Sequence, residues 1–242
     1  MIGLNSNITH QEFLDALDVL TTADSVKELT EHSRRLTSFK GGSYHHIPSI
    51  GSHDYNRLNT YWSTGLPQHA HDYLNEKGGK SCPVMKFVLD KARPFWFSRL
   101  VSEKDLSDER SQHRIKLVTE NLGDGMLIPL FGPYHRQGYA FILCENPGEF
   151  YDEIFLWQVQ ALLQAGHIRY CKLMKSLSFS VKLTNRESEV LELICFGKTN
   201  PEIGIILGIS TNTVSGYVKS IFIKFNATDR VTVALRAQCF SL

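Results

Sequence analysis

Between Thr9 and Leu36 the apolar residues Phe13, Leu14, Leu17, Val19, Leu20, Val26, Leu29 and Leu36 recur at three- and four-residue spacings, with one interruption at the polar "TTAD". That spacing predicts two amphipathic helices. From Lys40 to Thr60 the chain mixes Gly, Ser, His, Pro and Asp, which predicts a strand and a loop, with "YHHIP" (Tyr44 to Pro48) in or beside the strand. Helical spacing returns over Pro67 to Lys77 and Pro83 to Ala92, and "PFWFSRL" then predicts a strand. The runs "GMLIPL" and "GYAFILCE" flank the turn-rich "FGPYHRQG" and predict an antiparallel hairpin, in which Pro129 pushes the first run towards an edge or a bulge. A long helix from Asp152 to about Met174 sets Ile154, Leu156, Val159, Leu162, Leu163, Ile168 and Leu173 on one broad face. Helices on either side of a small antiparallel sheet imply an α/β/α sandwich of α+β class over residues 1–174.

"KSLSFSVK", residues 175–182, breaks the periodicity and reads as a linker to a second domain over 183–242. Thr184 and Glu187 have capping-box spacing, and Val190, Leu191, Ile194 and Cys195 form the stripe of the helix they start, which Gly197 stops. Asn200 is the expected cap of a short helix with Pro201 at its first position, Ile203, Ile206 and Leu207 inward and Gly208 at its end. Ser210 or Thr211 starts a third helix with Val214, Val218, Ile221 and Phe225 inward, leaving Asn212, Ser215, Gly216, Lys219 and Ser220 opposite. Asp229 to about Cys239 supplies a fourth helix through Val231, Ala234 and Leu235. Two short helices joined by a glycine turn match a helix-turn-helix, an all-α unit, although periodicity alone fits a plain helical bundle equally well.

The residues decide between those readings. Leu183, Thr184, Arg186, Glu187, Glu189, Val190, Leu191, Gly197, Lys198, Thr199, Glu202, Ile203, Leu207, Ser210, Thr213, Val214, Lys224 and Arg230 follow one another without gaps in a pattern that resembles the DNA-binding domain of the LuxR family of bacterial transcription regulators. Two departures stand out: Gly204 where that family usually has alanine, and Tyr217 where histidine is common. The resemblance implies a DNA surface drawn from Lys198, Thr199, Thr211, Asn212, Thr213, Ser215, Gly216, Lys219, Ser220 and Lys224. Lys198, Lys219 and Lys224 suit phosphates, while Thr211, Asn212, Ser215 and Lys219 suit base edges or the groove. Gly216 inside the helix costs about 1 kcal/mol relative to alanine, which points to close approach of DNA backbone there.

More faintly, "LPQHAHDYLNEKGGKSCPVMKFVLDKARPFWFSRL" and "GMLIPLFGPYHRQGYAFI" resemble the acyl-homoserine-lactone receptors of the same family, and no βαβ rhythm supports the response-regulator alternative. What the resemblance implies is a pocket with its anchors replaced. His69 stands where those receptors place the tryptophan that binds the lactone carbonyl, Cys82 where an aspartate accepts the ligand amide, Phe97 at a strand tryptophan and Phe141 at a small hydroxyl residue. Tyr73 and Gly125 remain, and Tyr61 and Trp62 either line the cavity or pack in the core. Losing the aspartate alone leaves a buried amide unpaired at about 1–3 kcal/mol, so lactone affinity is expected to fall by two or more decades once the lactone contact goes too. The chain is therefore expected to be an orphan regulator, without ligand or with a different, more apolar one. The competing expectations are a lactone-responsive regulator with an altered pocket and a heterodimerising module that sequesters another regulator.

Charge sharpens the partner expectation. The chain carries a formal +1, and from residue 180 onward seven Lys/Arg face five Asp/Glu, so that this stretch is +2. So weakly basic a footprint favours a homodimer sharing two half-sites of a palindromic duplex. The other chemistry is unpromising. His69 and His71, two apart, point about 200° from each other on a helix, so neither a metal site nor a Cys82–His nucleophile is expected, and no cofactor or enzymatic activity. The five scattered cysteines read as reduced, mostly buried thiols. With no signal peptide and no apolar run of about 18 residues, a cytoplasmic protein without membrane contact is expected.

Overall fold

The computed structural model describes residues 9–36, 41–49, 59–65, 83–102, 104–122, 124–143, 153–176 and 181–238. Thr9 caps α1 (His10–Thr22): its hydroxyl accepts the Glu12 N–H while the Glu12 carboxylate accepts the Thr9 N–H, a box worth about 1 kcal/mol. The expected break follows, and α2 (Val26–Leu36) begins where the Ser25 hydroxyl accepts the Glu28 N–H. The third helix of this layer, α5 (Glu153–Ser176), presents Phe155, Leu156, Val159 and Leu162 to Ala16, Leu20 and Leu29. Ile154, expected on that face, is 66% exposed because the buried arc starts one residue later.

The sheet runs in the order β2-β1-β5-β4-β3, every pairing antiparallel: β1 (Gly41–Ile47), β2 (Asn59–Thr64), β3 (Phe95–Trp96), β4 (Gly125–Phe131) and β5 (Gln137–Leu143). Period-two alternation divides its side chains between two cores. Tyr44, Trp96, Met126, Ile128, Leu130, Ala140 and Ile142 meet α1, α2 and α5. Phe95, Leu127, Phe141 and Leu143 meet α3 (Pro83–Lys91), a 3-10 segment (Phe97–Ser102) and α4 (Glu109–Leu122) through Phe87, Val88, Phe97, Leu100 and Ile115. This is the α/β/α sandwich expected from the pattern.

Three local differences have physical reasons. "PFWFSRL" is a strand only at Phe95–Trp96, because the Ser98 N–H and hydroxyl both donate to the Asp124 carboxylate and turn the chain into a 3-10 helix. Pro129 sits inside β4 without a bulge: β3 pairs with Met126 and Leu127, so among the described residues no strand lies beside Pro129 on the side of β4 that faces β3, and its carbonyl accepts from Gln160. Sequence reading missed α4, whose polar run hides the buried Ile115. The expected helix over Pro67 to Lys77 lies outside the described residues. Among the described residues no helix is long and apolar enough to cross a membrane. The chain divides into two compact units, the second comprising residues from Leu177 onward.

Candidate nucleic-acid interface

Four helices build the second unit, each started by a side chain that accepts a backbone N–H three residues on. Thr184 caps α6 (Asn185–Cys195), Thr199 caps α7 (Asn200–Leu207), Ser210 caps α8 (Thr211–Lys224) and Asp229 caps α9 (Arg230–Ala237). The cap of α7 is thus Thr199, one residue before the expected Asn200, because Glu202 reaches back to the Thr199 N–H at 2.7 Å and completes a box there; Pro201 becomes the second helical residue. Gly208 ends α7 at φ +66°, and the turn closes so tightly that a Cβ on Gly204 would stand 2.8 Å from the Ile209 carbonyl oxygen. Glycine at 204 is what lets this turn approach.

Val190, Leu191, Ile194, Ile203, Val214, Ile221, Phe225, Val233 and Ala237 make the core, with Val218 half-buried against it. Three expected core positions are on the surface: Cys195, Ile206 and Val231. Each lies one position beside a buried residue or two away from one, and the buried arcs of these short helices are narrower than their apolar sequence suggests.

Glu187 joins α6 to the C-terminal half of α8. Its carboxylate accepts from the Lys224 ammonium at 2.6 Å, from the Ser220 hydroxyl at 2.6 Å and from the Thr184 N–H at 2.7 Å. Burial by itself would raise its pKa; the bonds from Lys224, Ser220 and Thr184 outweigh burial and hold the carboxyl at about 2. Ser220 and Lys224, expected at DNA, therefore spend their polar atoms inside the domain. Thr199 likewise serves as a cap and donates to Glu202, and Thr213 is bonded to the cap Ser210 through its hydroxyl and its N–H.

What remains exposed is a strip along α8: Thr211, Asn212, Ser215, Gly216 and Lys219, continued by the apolar Ile223. Ser215 donates to the Thr211 carbonyl and accepts from Asn200, whose side-chain oxygen accepts from Arg230; Arg230 also donates to the Lys198 carbonyl. Arg230 thereby ties the start of α9 to the start of α7, and Asn200 ties that end to the middle of α8. Sequence reading gave Arg230 no site role, although an arginine just after the cap of α9 was visible.

The sheet brings part of the expected ligand site together. Phe97 and Phe141 are buried with ring centroids 5.8 Å apart at 69°, filling one another's space. A Cβ on Gly125 would stand 2.5 Å from the Ile142 carbonyl oxygen, so strand packing explains that glycine. Tyr61 and Trp62 lie on β2; His69, Tyr73 and Cys82 fall outside the described residues. On the same face as Phe141, the buried His45 stacks on Tyr139 at 4.5 Å and bonds Ser43 at 2.8 Å, and burial pushes its pKa down to about 4. On the opposite face His46, His167 and Cys171 form a buried group able to hold a metal, a grouping that their distance in sequence concealed.

The sequence profile of bacterial regulatory proteins of the luxR family matches residues 181–237, all four helices. Residues 181–237 are a luxR-family helix-turn-helix domain. Beyond this luxR domain, the chain is similar to the regulator y4qH of Sinorhizobium fredii (26% identical over 162 residues, 64% of this chain and 48% of that protein). It is also similar to the transcriptional activator AnoR of Acinetobacter nosocomialis (33% over 84 residues, 34% and 35%). The chain thus spans about half or less of the length of these curated relatives. Escherichia coli SdiA shares the fold over 95% of this chain and 96% of its own at a TM-score of 0.70 and 18% identity, and SdiA solved with octanoyl-rac-glycerol gives 0.69. In luxR-domain terms, α8 is the second helix of the helix-turn-helix, the one that such motifs lay in the major groove.

Proposed function

We propose that this chain is a LuxR-type transcriptional regulator that binds duplex DNA as a homodimer through α8, and that its sensory domain does not use acyl-homoserine lactones in the usual manner. The exposed strip Thr211, Asn212, Ser215, Gly216 and Lys219, on a helix capped by Ser210 and anchored by Glu187, carries the DNA reading. Small polar groups on a rigid helix suit base edges, and Lys219 suits a phosphate. The edge-to-face contact of Phe97 and Phe141 supports the ligand reading, since aromatic carbon occupies the place of a hydrogen-bonding hydroxyl.

Selecting bound DNA from a random pool is expected to return a palindrome, and Lys219→Ala is expected to weaken binding to all sequences and reduce the salt slope by about 1. A selection that returns no common site overturns the DNA reading. Thermal shift against a lactone panel is expected to be flat; stabilisation by any lactone overturns the ligand reading. Octanoyl-rac-glycerol, present in the SdiA complex, probes an alternative ligand of more apolar character.

A further inference from the structure

Between the sheet and α5 lies a group of side chains that the proposed function does not use. His167 and Cys171 are four apart on α5 and so project from one face, while His46 reaches them from β1; all three are buried, and a ligand atom from each lies within 4.8 Å of the others. His167 Nε2 and Cys171 Sγ are 3.6 Å apart. First-row d10 ions bond nitrogen at about 2.0–2.1 Å and thiolate sulfur at about 2.3 Å, so two such ligands about 110–120° apart stand about 3.5–3.8 Å from each other. The pair is already at that separation. The Tyr44 hydroxyl, 2.6 Å from His167 Nδ1, supplies the outer contact typical of a ligating histidine: with Nδ1 donating to it, Nε2 keeps its lone pair. Gly132 makes room for both donors, since a Cβ there would stand 2.5 Å from Cys171 Sγ and 2.9 Å from His167 Nε2.

We propose that His46, His167 and Cys171 form a buried three-coordinate site for copper(I). Two features select the ion. Structural zinc is almost always four-coordinate, and these three donors are a thiolate with two imidazoles, a set that suits the softer ion at lower coordination. Charge points the same way. The buried Arg136 places Nη1 2.7 Å from His46 Nε2, so a fixed cation already borders the group. Copper(I) with one thiolate is neutral, whereas zinc would leave a second positive charge beside the guanidinium in a low-dielectric interior. The Cys171 S–H bond breaks, its proton goes to solvent, the sulfur lone pair forms the S–Cu bond, and no electron changes hands.

Titration of the reduced full-length chain, free of oxygen, with copper(I) held by bicinchoninate is expected to transfer one equivalent per chain, and X-ray absorption of the loaded protein to show one sulfur and two nitrogens around copper. His167→Gln is expected to abolish that transfer, and Tyr44→Phe to weaken it roughly ten- to hundredfold. No transfer, a shell of sulfur alone, or full transfer to His167→Gln overturns the site; tighter retention of zinc than of copper(I) overturns the choice of ion. Because the absorption measurement uses the unaltered chain, the proposal stays open to refutation even if His167→Gln does not fold.

Discussion

The two units satisfy their polar groups in opposite ways. In the luxR domain each helix begins with a bond between residues three apart, Thr184 with Glu187, Thr199 with Glu202, Ser210 with Thr213 and Asp229 with Thr232. In the N-terminal unit three polar pairs reach across the chain instead: Tyr44 bonds His167, Arg136 bonds His46, and Arg169 donates to the Ala23 carbonyl, over 123, 90 and 146 residues. Local bonds report on their own helix; distant ones report on how a whole layer docks. A perturbation should therefore stay confined in the luxR domain and spread in the N-terminal unit.

Acid gives the largest separation. Burial lowers the pKa of His45 and of His167 from 6.5 to about 4, with the Arg136 charge also acting against the protonated form of His167. The folded pKa lies below the unfolded one, so their contribution is complete above pH 6.5 and is lost as pH falls towards 4, because only the unfolded chain takes up protons there. At pH 5 this amounts to on the order of 2 kcal/mol per histidine. Glu187 is also depressed, to about 2, but from the carboxylate range, so the luxR domain keeps its contribution until the pH drops below about 4.5. Circular dichroism melts at pH 7 and pH 5 are expected to show the transition of the N-terminal unit moving down while the luxR transition stays; movement of both together breaks the comparison.

Next in size is Glu187→Ala. It removes the acceptor for Lys224, Ser220 and the Thr184 N–H at once, and leaves an ammonium without its partner, a loss of about 3 kcal/mol. Glu187 makes the luxR domain's longest described side-chain bond along the chain, 37 residues from Lys224, beside those of Arg230 to Asn200 and Lys198. Chemical denaturation should show a lower midpoint for that domain alone. Tyr44→Phe is the matching change in the N-terminal unit: it deletes the hydroxyl on His167 Nδ1 and is expected to cost about 1–3 kcal/mol there, read by the same melts, with the luxR transition unmoved.

The same contrast explains what could be read in advance. The capping box at Thr184 and Glu187, the glycine stop at Gly208 and the inward spacing of Val214 and Ile221 are local facts, and a sequence states them directly. Position along a helix is less secure: Thr199 displaced Asn200 as a cap because Glu202 was in reach, and Ile206 turned outward on a helix too short to bury two faces. In the N-terminal unit the layers were legible from hydrophobic period, yet the strand after Pro94 stopped at Trp96 because Asp124, far along the chain, drew in Ser98. "YHHIP" read correctly as strand, but alternation sends His45 to one core and His46 to the other, and nothing local says that His167 and Cys171 wait on the second.

The smallest effect tests the recognition strip itself. Gly216 has no left-handed φ and a Cβ built on it meets nothing within 4 Å, so neither backbone geometry nor packing inside the domain accounts for glycine at a mid-helix position. Alanine there should stabilise the luxR domain by about 1 kcal/mol. Its neighbours Asn212, Ser215 and Lys219 form the exposed strip, so the missing methyl thins the helix where DNA would lie closest. Gly216→Ala is therefore expected to raise the melting temperature and lower the affinity for the selected site, the two moving in opposite directions. A variant that is more stable and binds equally well would leave the glycine without a role in recognition, and would shift the close approach to the Ser215 end of the strip.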